Sequence, residues 1–202
     1  MQITVKPFEN SFAAEIDGID IQNGVNKQQF KIIHEAFLKH KVLIFRNQPL
    51  DDEAHQKFGM LFGVLDGHIN KSTRHKALPS VQVFSNVKPN GETTGVHPEK
   101  GTQVWHTDKS YTTTPSLTTI LRSPAIAQVG GDTLFADMTR AYNKLSNNMK
   151  TGIDNLFAVT IGFGVEKSLM KDLLHQTKSR QLHPSYTLSS EHIQKQEKNP
   201  CI

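Results

Sequence analysis

The sequence changes its pattern at Gly63, and this change limits the fold more than any other feature. Before Gly63, apolar residues recur at helical spacing in two segments; after it, short β-prone runs alternate with turns rich in Gly, Pro and Asn. A series of short strands separated by such turns is typical of a sandwich or jelly roll. We therefore predict a mainly β, α+β fold with flanking helices. The β-prone runs are 81–84, 103–105, 117–121 and 133–135.

The N-terminal residues predict strands and helices with recognisable ends. Alternation of apolar and polar residues indicates two short strands, the second ending at Asp17-Gly18. Asn26 is a suitable N-cap for a first helix, and Asp51 or Asp52 for a second that ends near Gly63. The predicted strands lie around 3–5, 14–16, 42–45 and 157–163, and the predicted helices at 27–39, 52–62, 139–145, 147–156 and 166–176.

Composition excludes several classes of function. The chain has 202 residues, which suits one domain, and no apolar run approaches the ~18 residues of a membrane span. Its one cysteine, Cys201, excludes a disulfide framework and a cysteine-rich zinc site. The net charge of +4 comes from scattered lysines without interleaved aromatics, so we expect no nucleic-acid partner. No apolar signal core follows Met1, so we expect a cytoplasmic protein without a membrane partner.

Ten histidines make a metal site worth seeking, and His106-Thr107-Asp108 is the best candidate for one. On a strand, residues i and i+2 face the same side, so His106 and Asp108 would project together. An imidazole and a carboxylate supply two corners of the two-histidine, one-carboxylate triad that holds Fe(II). Chance produces this triplet in roughly one sequence in two of this composition, so the spacing alone is weak. We expect the preceding Trp105 to be a core residue.

A second polar feature, Gly130-Gly131-Asp132-Thr133, follows the histidine triplet. Paired glycines allow the backbone to turn tightly, and the Thr133 hydroxyl could donate a hydrogen bond to an anion. The same four residues also fit an ordinary hairpin turn, which sequence alone favours.

The segments that carry these features resemble the TauD/TfdA family of Fe(II)- and 2-oxoglutarate-dependent dioxygenases. Their order and spacing match the family from about residue 3 to about residue 184. The resemblance implies a double-stranded β-helix (jelly roll) with flanking helices, incomplete at the C-terminus. Phe-Arg-Asn-Gln-Pro at 45–49 is nearer to the phenoxyacetate-degrading branch than to the taurine branch. The matching segments are 42–50, 58–59, 61–65, 104–108, 124, 130–138, 141–142 and 145.

The resemblance also implies roles for individual residues. His106 and Asp108 match the first two iron ligands, and Thr133 matches a residue that helps to hold 2-oxoglutarate. His68 matches a histidine that contacts the anionic group of the substrate, although a surface-loop histidine is an equally good interpretation. The implied reactants are Fe(II), 2-oxoglutarate, molecular oxygen and a small anionic substrate of sulfonate or carboxylate type. A homo-oligomer is a further expectation.

Two residues that the family implies have no counterpart in this chain. Family members supply a second iron-binding histidine and an arginine whose guanidinium pairs with the 2-oxoglutarate carboxylate. Three later histidines, His175, His183 and His192, lie in segments that do not match, so we do not expect them to be ligands. We therefore expect a truncated member of the family with weak or no activity.

The C-terminal residues have an unusual relation to the family's next segment. We predict a dioxygenase-like domain at 1–184, representing the N-terminal part of the family's domain, and an irregular tail at 185–202. Codons permitted by Ser190–Ile202, read from the third base, encode Arg-Thr-His-Pro-Lys-Thr-Gly-Lys-Lys-Ser-Leu-Tyr, which resembles that next segment. We interpret the tail as an out-of-frame reading, with a genuinely divergent tail as the alternative.

Two classes of function follow from the sequence. The first is a dioxygenase that hydroxylates a small anionic compound. The second is a catalytically dead fragment that acts only as a binding or oligomerisation module. A zinc hydrolase is a weaker third hypothesis, because the chain lacks the His-Glu-x-x-His spacing of zincins.

Overall fold

The computed structural model describes residues 2–67, 73–88, 90–94, 105–110, 115–125, 130–154 and 156. The chain divides into two compact units: the first takes in Met1–His106 and Ile120–Gly131, and the second Thr107–Thr119 and Asp132–Ile202. The described elements are β1 (Thr4–Pro7), β2 (Ala13–Asp17), α1 (Lys27–His40), β3 (Val42–Ile44), α2 (Asp52–Met60), α3 (Met138–Asn143) and α4 (Asn147–Ile153).

A three-stranded sheet organises the first unit. β1 and β2 pair antiparallel and β3 adds parallel to β2, which gives the order β1-β2-β3. A parallel neighbour needs a crossover connection, and α1 provides it between β2 and β3. β2 is the central strand, and its alternate residues Ala14 and Ile16 are 0% and 1% exposed. The strands predicted from alternation are therefore confirmed.

Helix α1 begins at the predicted cap. The Asn26 side chain accepts a hydrogen bond from the Gln29 N–H, and the Gln29 side chain accepts one from the Asn26 N–H, each at 2.9 Å. This reciprocal capping box satisfies two N–H groups that the helix cannot pair internally. The helix ends at His40, and the next residue, Lys41, is its C-cap: its φ is +62° and its N–H donates to the Phe37 carbonyl at 2.7 Å.

The core of the first unit lies between the sheet and the two helices. Ile33 and Ala36 from α1 pack with Ile16 from β2 and Phe58 from α2. The Phe62 ring packs edge-on against the rings of Phe30, Phe37 and Phe58, with centroids 5.1–5.9 Å apart. Edge-to-face packing is favourable because it matches the quadrupoles of aromatic rings. The buried cluster consists of Ile16, Ile19, Ile21, Ile33, Ala36 and Phe58.

Helix α2 is capped by Asp51 rather than by Asp52. The Asp51 carboxylate accepts a hydrogen bond from the Ala54 N–H at 2.7 Å and another from the Gln22 side chain at 2.8 Å. These two hydrogen bonds, the backbone one first, stabilise the anion and lower the pKa of Asp51 below its ordinary value. The sequence had left both aspartates open as caps, and the hydrogen bonds decide between them.

Two short helices of the second unit also begin at side-chain caps. Asp137 accepts a hydrogen bond from the Arg140 N–H at 3.0 Å at the start of α3. Ser146 accepts one from the Met149 N–H at 3.2 Å at the start of α4. Helix α4 lies within the predicted segment 147–156, and α3 begins one residue before the predicted segment 139–145, which confirms both helices apart from this boundary.

The β-prone runs after Gly63 do not form strands where the structure describes them. Residues 117–121 and 133–135 are irregular, and 81–84 contributes only an isolated bridge, Arg74↔Gln82. β-propensity reflects a fit to a pleated, half-buried surface, so such a run needs a neighbouring strand to become one. The expected strands at these positions are therefore not seen, and the jelly roll stays a prediction.

Some predictions fall outside the described residues. They are the strand at 157–163, the helix at 166–176, the tail at 185–202 and part of the strand at 103–105. Among the residues that the structure does describe, no helix is long and apolar enough to cross a membrane.

Candidate active site

The segment that carries His106 and Asp108 is irregular rather than a strand. Residues 105–107 have no regular structure, and 108–110 form a turn. Lys109 has a φ of +56°, which interrupts an extended backbone, and the Ser110 N–H donates to the Thr107 carbonyl at 3.3 Å. The prediction that a strand presents His106 and Asp108 on one face is therefore wrong for these residues.

Trp105 is exposed instead of buried. Its side chain is 71% exposed, in contrast to the core position expected for a large aromatic residue. The physical reason is the absence of a strand at 105–107, since an irregular segment has no sheet face to pack against a core. His106, the last residue of its part of the first unit, is likewise exposed.

Asp108 has a hydrogen-bond partner that the sequence did not indicate. The Thr119 hydroxyl donates to Oδ2 of Asp108 at 2.6 Å, and both residues belong to the second unit. This length lies in the range of O–H···O⁻ hydrogen bonds to an ionised acceptor. Both residues are exposed, and the hydrogen bond helps to fix the orientation of the carboxylate.

Sequence reasoning missed Thr119 because no local rule connects it with Asp108. The two residues are 11 positions apart and do not share a helix or a ladder of paired strands among the described residues. The prediction of a strand at 117–121, which the structure does not show, gave no indication of the carboxylate that the Thr119 hydroxyl contacts.

Thr133 follows the two glycines in an exposed, irregular segment before α3. Gly130 and Gly131 have φ values of +74° and +77°, a left-handed backbone that favours residues without a Cβ. A Cβ on Gly130 would meet no atom within 4 Å, so the backbone angle, rather than a close neighbour, explains this glycine.

The remaining candidate histidines cannot be placed. His68, His175, His183 and His192 lie outside the described residues. Within the described ranges, no group of three or more His, Cys, Asp and Glu side chains could hold a metal ion.

A second polar cluster, in the first unit, joins α2 to residues 120–122. Arg122 donates hydrogen bonds to the Leu50 carbonyl and to Oδ1 of Asp52, and Nε2 of His75 lies 3.5 Å from Oδ2 of Asp52. Nε2 of His55 donates to the Ile120 carbonyl at 3.1 Å. We call these residues, Asp52, His55, His75 and Arg122, the α2 clamp.

The protonation state of His55 suits a structural role in the α2 clamp. Burial is the main reason that the pKa of His55 is lowered, since its charged form would lose hydration; the nearby Arg122 lowers it further. The hydrogen bond to the Ile120 carbonyl and the carboxylate of Asp52 act in the opposite direction. His55 is therefore neutral at neutral pH and connects α2 to the backbone of a distant segment.

The chain is similar in sequence to one family of dioxygenases. The family model for the taurine catabolism dioxygenase TauD, TfdA family matches residues 4–199. The α-ketoglutarate-dependent 2,4-dichlorophenoxyacetate dioxygenase of Cupriavidus pinatubonensis is 26% identical over 166 residues, covering 78% of this chain and 58% of that protein. The α-ketoglutarate-dependent sulfate ester dioxygenase of Pseudomonas putida is 28% identical over 160 residues, covering 79% and 50%.

A solved structure is similar to this chain in both fold and sequence. The crystal structure of a taurine dioxygenase from Burkholderia xenovorans matches with a TM-score of 0.59 and 26% identity, covering 76% of this chain and 51% of that one. The chain spans about half the length of the curated relatives that it matches. Since the family model covers nearly all of the sequence, the chain belongs to the TauD/TfdA dioxygenase family.

Proposed function

We propose that this chain forms part of an Fe(II)- and 2-oxoglutarate-dependent dioxygenase that hydroxylates a small anionic organic substrate. The observation that carries the proposal is the His106-Thr107-Asp108 triplet, which lies within the residues matched by the family and whose carboxylate is held by Thr119. The jelly roll expected for the family, with flanking helices, is part of the same proposal.

The donor chemistry of the triplet fits iron. An imidazole and a carboxylate are two of the three protein ligands in the facial arrangement that non-haem Fe(II) oxygenases use. His106 and Asp108 would hold the metal, and the Thr133 hydroxyl would donate to a carboxylate of 2-oxoglutarate. When bound, iron and 2-oxoglutarate supply the oxidation of the substrate by molecular oxygen.

The names of the relatives support an anionic substrate. They specify 2,4-dichlorophenoxyacetate, sulfate esters and taurine, which carry a carboxylate, a sulfate and a sulfonate respectively. We therefore propose a substrate with a carboxylate, sulfonate or sulfate group, and His68 as the residue that contacts this group. A histidine can donate a hydrogen bond to such an anion from either ring nitrogen when protonated.

Succinate formation tests the proposal. The chain is incubated with Fe(II), ascorbate, 2-oxoglutarate and oxygen, together with phenoxyacetates, alkyl sulfates or taurine, and succinate is measured. We expect weak substrate-dependent succinate formation at most, and His106→Ala and Asp108→Ala should each abolish it, because either change removes a proposed metal ligand. His34→Ala is the matched control, since His34 lies in α1 against the Phe30 ring and should leave the rate unchanged.

The alternative hypothesis gives a different result in the same assay. A catalytically dead binding or oligomerisation module would form no succinate with any of the substrates. Light scattering of the same sample would then show whether the chain associates with itself. Succinate formation that survives both His106→Ala and Asp108→Ala would contradict the assignment of the metal site.

A further inference from the structure

We infer that Thr119 is a positioning residue that orients the Asp108 carboxylate for a divalent metal ion. The inference rests on the proposed function, because it assigns a role to a residue beside the proposed metal ligand. Its basis is the 2.6 Å hydrogen bond from the Thr119 hydroxyl to Oδ2 of Asp108. No family motif named in the sequence analysis includes Thr119.

The direction of this hydrogen bond is fixed by chemistry. A carboxylate only accepts hydrogen bonds, so the Thr119 hydroxyl is the donor. The torsion that rotates an aspartate carboxylate is broad and weakly restrained by itself. A short hydrogen bond to one oxygen limits the range of this torsion. It therefore sets the direction in which the lone pairs of the carboxylate point.

Both ends of this hydrogen bond lie on irregular backbone at the surface. Asp108 begins a turn in which Lys109 adopts a φ of +56°, and both Asp108 and Thr119 are exposed. Thr119 is suited to the task because a β-branched residue has few χ1 rotamers, so its hydroxyl is already directed before a metal arrives.

Loss of such a partner has a measurable effect on metal affinity. Carboxylates that bind metals are themselves hydrogen-bonded, and removal of the hydrogen-bonding group typically weakens metal binding about 10–100-fold. Thr119→Val removes the hydroxyl but keeps the size and β-branching of the side chain. We expect it to weaken the binding of Mn(II), an oxygen-stable substitute for Fe(II), by at least about tenfold.

The experiment measures free Mn(II) by electron paramagnetic resonance as the ion is titrated into each protein. Thr119→Ser restores a hydroxyl and should recover most of the affinity. Thr118→Val is the matched control, because it makes the same change at the adjacent threonine and should leave Mn(II) affinity unchanged. Circular dichroism melting of each metal-free variant should match that of the unsubstituted chain, so that the weaker binding does not follow from loss of the fold.

The outcomes separate this inference from the proposed function. If the unsubstituted chain binds Mn(II), and Asp108→Ala weakens the binding, but Thr119→Val binds as tightly as the unsubstituted chain, the role of Thr119 is refuted and the metal site stands. Equal weakening by Thr118→Val, or no recovery in Thr119→Ser, would also refute it. If neither the unsubstituted chain nor its variants bind Mn(II), the metal site itself is refuted, and this inference with it.

Discussion

Gly18 is constrained both by its backbone angle and by its surroundings. Its φ is +76°, and a Cβ built on it would lie 2.2 Å from the Gln2 carbonyl oxygen. Gly24 also has a positive φ, +95°, but a Cβ there would meet no atom within 4 Å. The two glycines therefore separate the effect of a left-handed backbone from the effect of a clash with the backbone just before β1.

Gly18→Ala should destabilise the protein more than Gly24→Ala. The alanine at position 24 should lower the free energy of unfolding by about 1 kcal/mol through its backbone angle. The alanine at position 18 adds a clash with backbone, so we expect a total loss above about 2 kcal/mol. Urea unfolding followed by circular dichroism measures both values. Equal losses of unfolding free energy in the two variants would contradict this prediction, because they would show that the backbone before β1 shifts to accommodate the new Cβ without destabilising the fold.

Residues whose roles depend on local chemistry were predictable from the sequence. Asn26 and the Asp51-Asp52 pair were recognised as caps, because the hydrogen bonds of a cap reach only two or three residues along the chain. Thr119 was not recognised, because its partner is Asp108, 11 residues away. Only the three-dimensional structure brings such a pair together.

At the scale of elements, the α2 clamp connects helix α2 to residues 120–122, about 70 residues later in the chain. Arg122 bonds the Leu50 carbonyl just before α2 and the Asp52 carboxylate in its first turn. Its side chain is 25% exposed, so these charge-assisted bonds are partly shielded from water. Arg46 pairs with Glu15 at 2.8 Å but is 58% exposed, which makes it a useful comparison.

Arg122→Met should cost more stability than Arg46→Met. Loss of Arg122 leaves a carbonyl and a carboxylate without this donor, so we expect a loss of about 1–3 kcal/mol in the free energy of unfolding. Loss of the exposed Arg46 pair should cost less than about 1 kcal/mol. Urea unfolding of both variants, compared with the unsubstituted chain, gives the two numbers. A smaller loss for Arg122→Met than for Arg46→Met would show that the α2 clamp does not stabilise the fold.

Among the described residues, the elements with an amphipathic period or a cap were predicted correctly, whereas isolated β-prone runs were not. Helices α1 and α2 bury one face against the sheet, and that face is visible in the sequence as residues three and four apart. The run 117–121 has the composition of a strand, but it is irregular in the structure. Strand formation depends on a partner that the run itself does not specify.

At the scale of the whole molecule, we predict a dependence of stability on pH. The free energy of unfolding of the first unit should decrease as the pH falls below about 6.5. Burial lowers the pKa of His55 below the ordinary value of 6.5, and burial together with Lys39 lowers that of His40. At a pH between the pKa of such a histidine in the folded chain and its higher pKa in the unfolded chain, the unfolded chain binds more protons. The free energy of unfolding therefore decreases as the pH falls. Asp51, whose pKa is also lowered, adds a loss only below its ordinary value of 3.8.

The variant His55→Gln should reduce this dependence on pH. Its amide can still donate to the Ile120 carbonyl, but it does not titrate, so the contribution of His55 disappears and that of His40 remains. Urea unfolding at about pH 7.5 and about pH 5.5 spans the interval in which a neutral buried histidine becomes charged on unfolding. His34→Gln, in α1 of the same unit, is the control for the removal of a histidine. If His55→Gln loses as much stability between the two pH values as the unsubstituted chain, burial of neutral His55 is not what makes the first unit sensitive to acid.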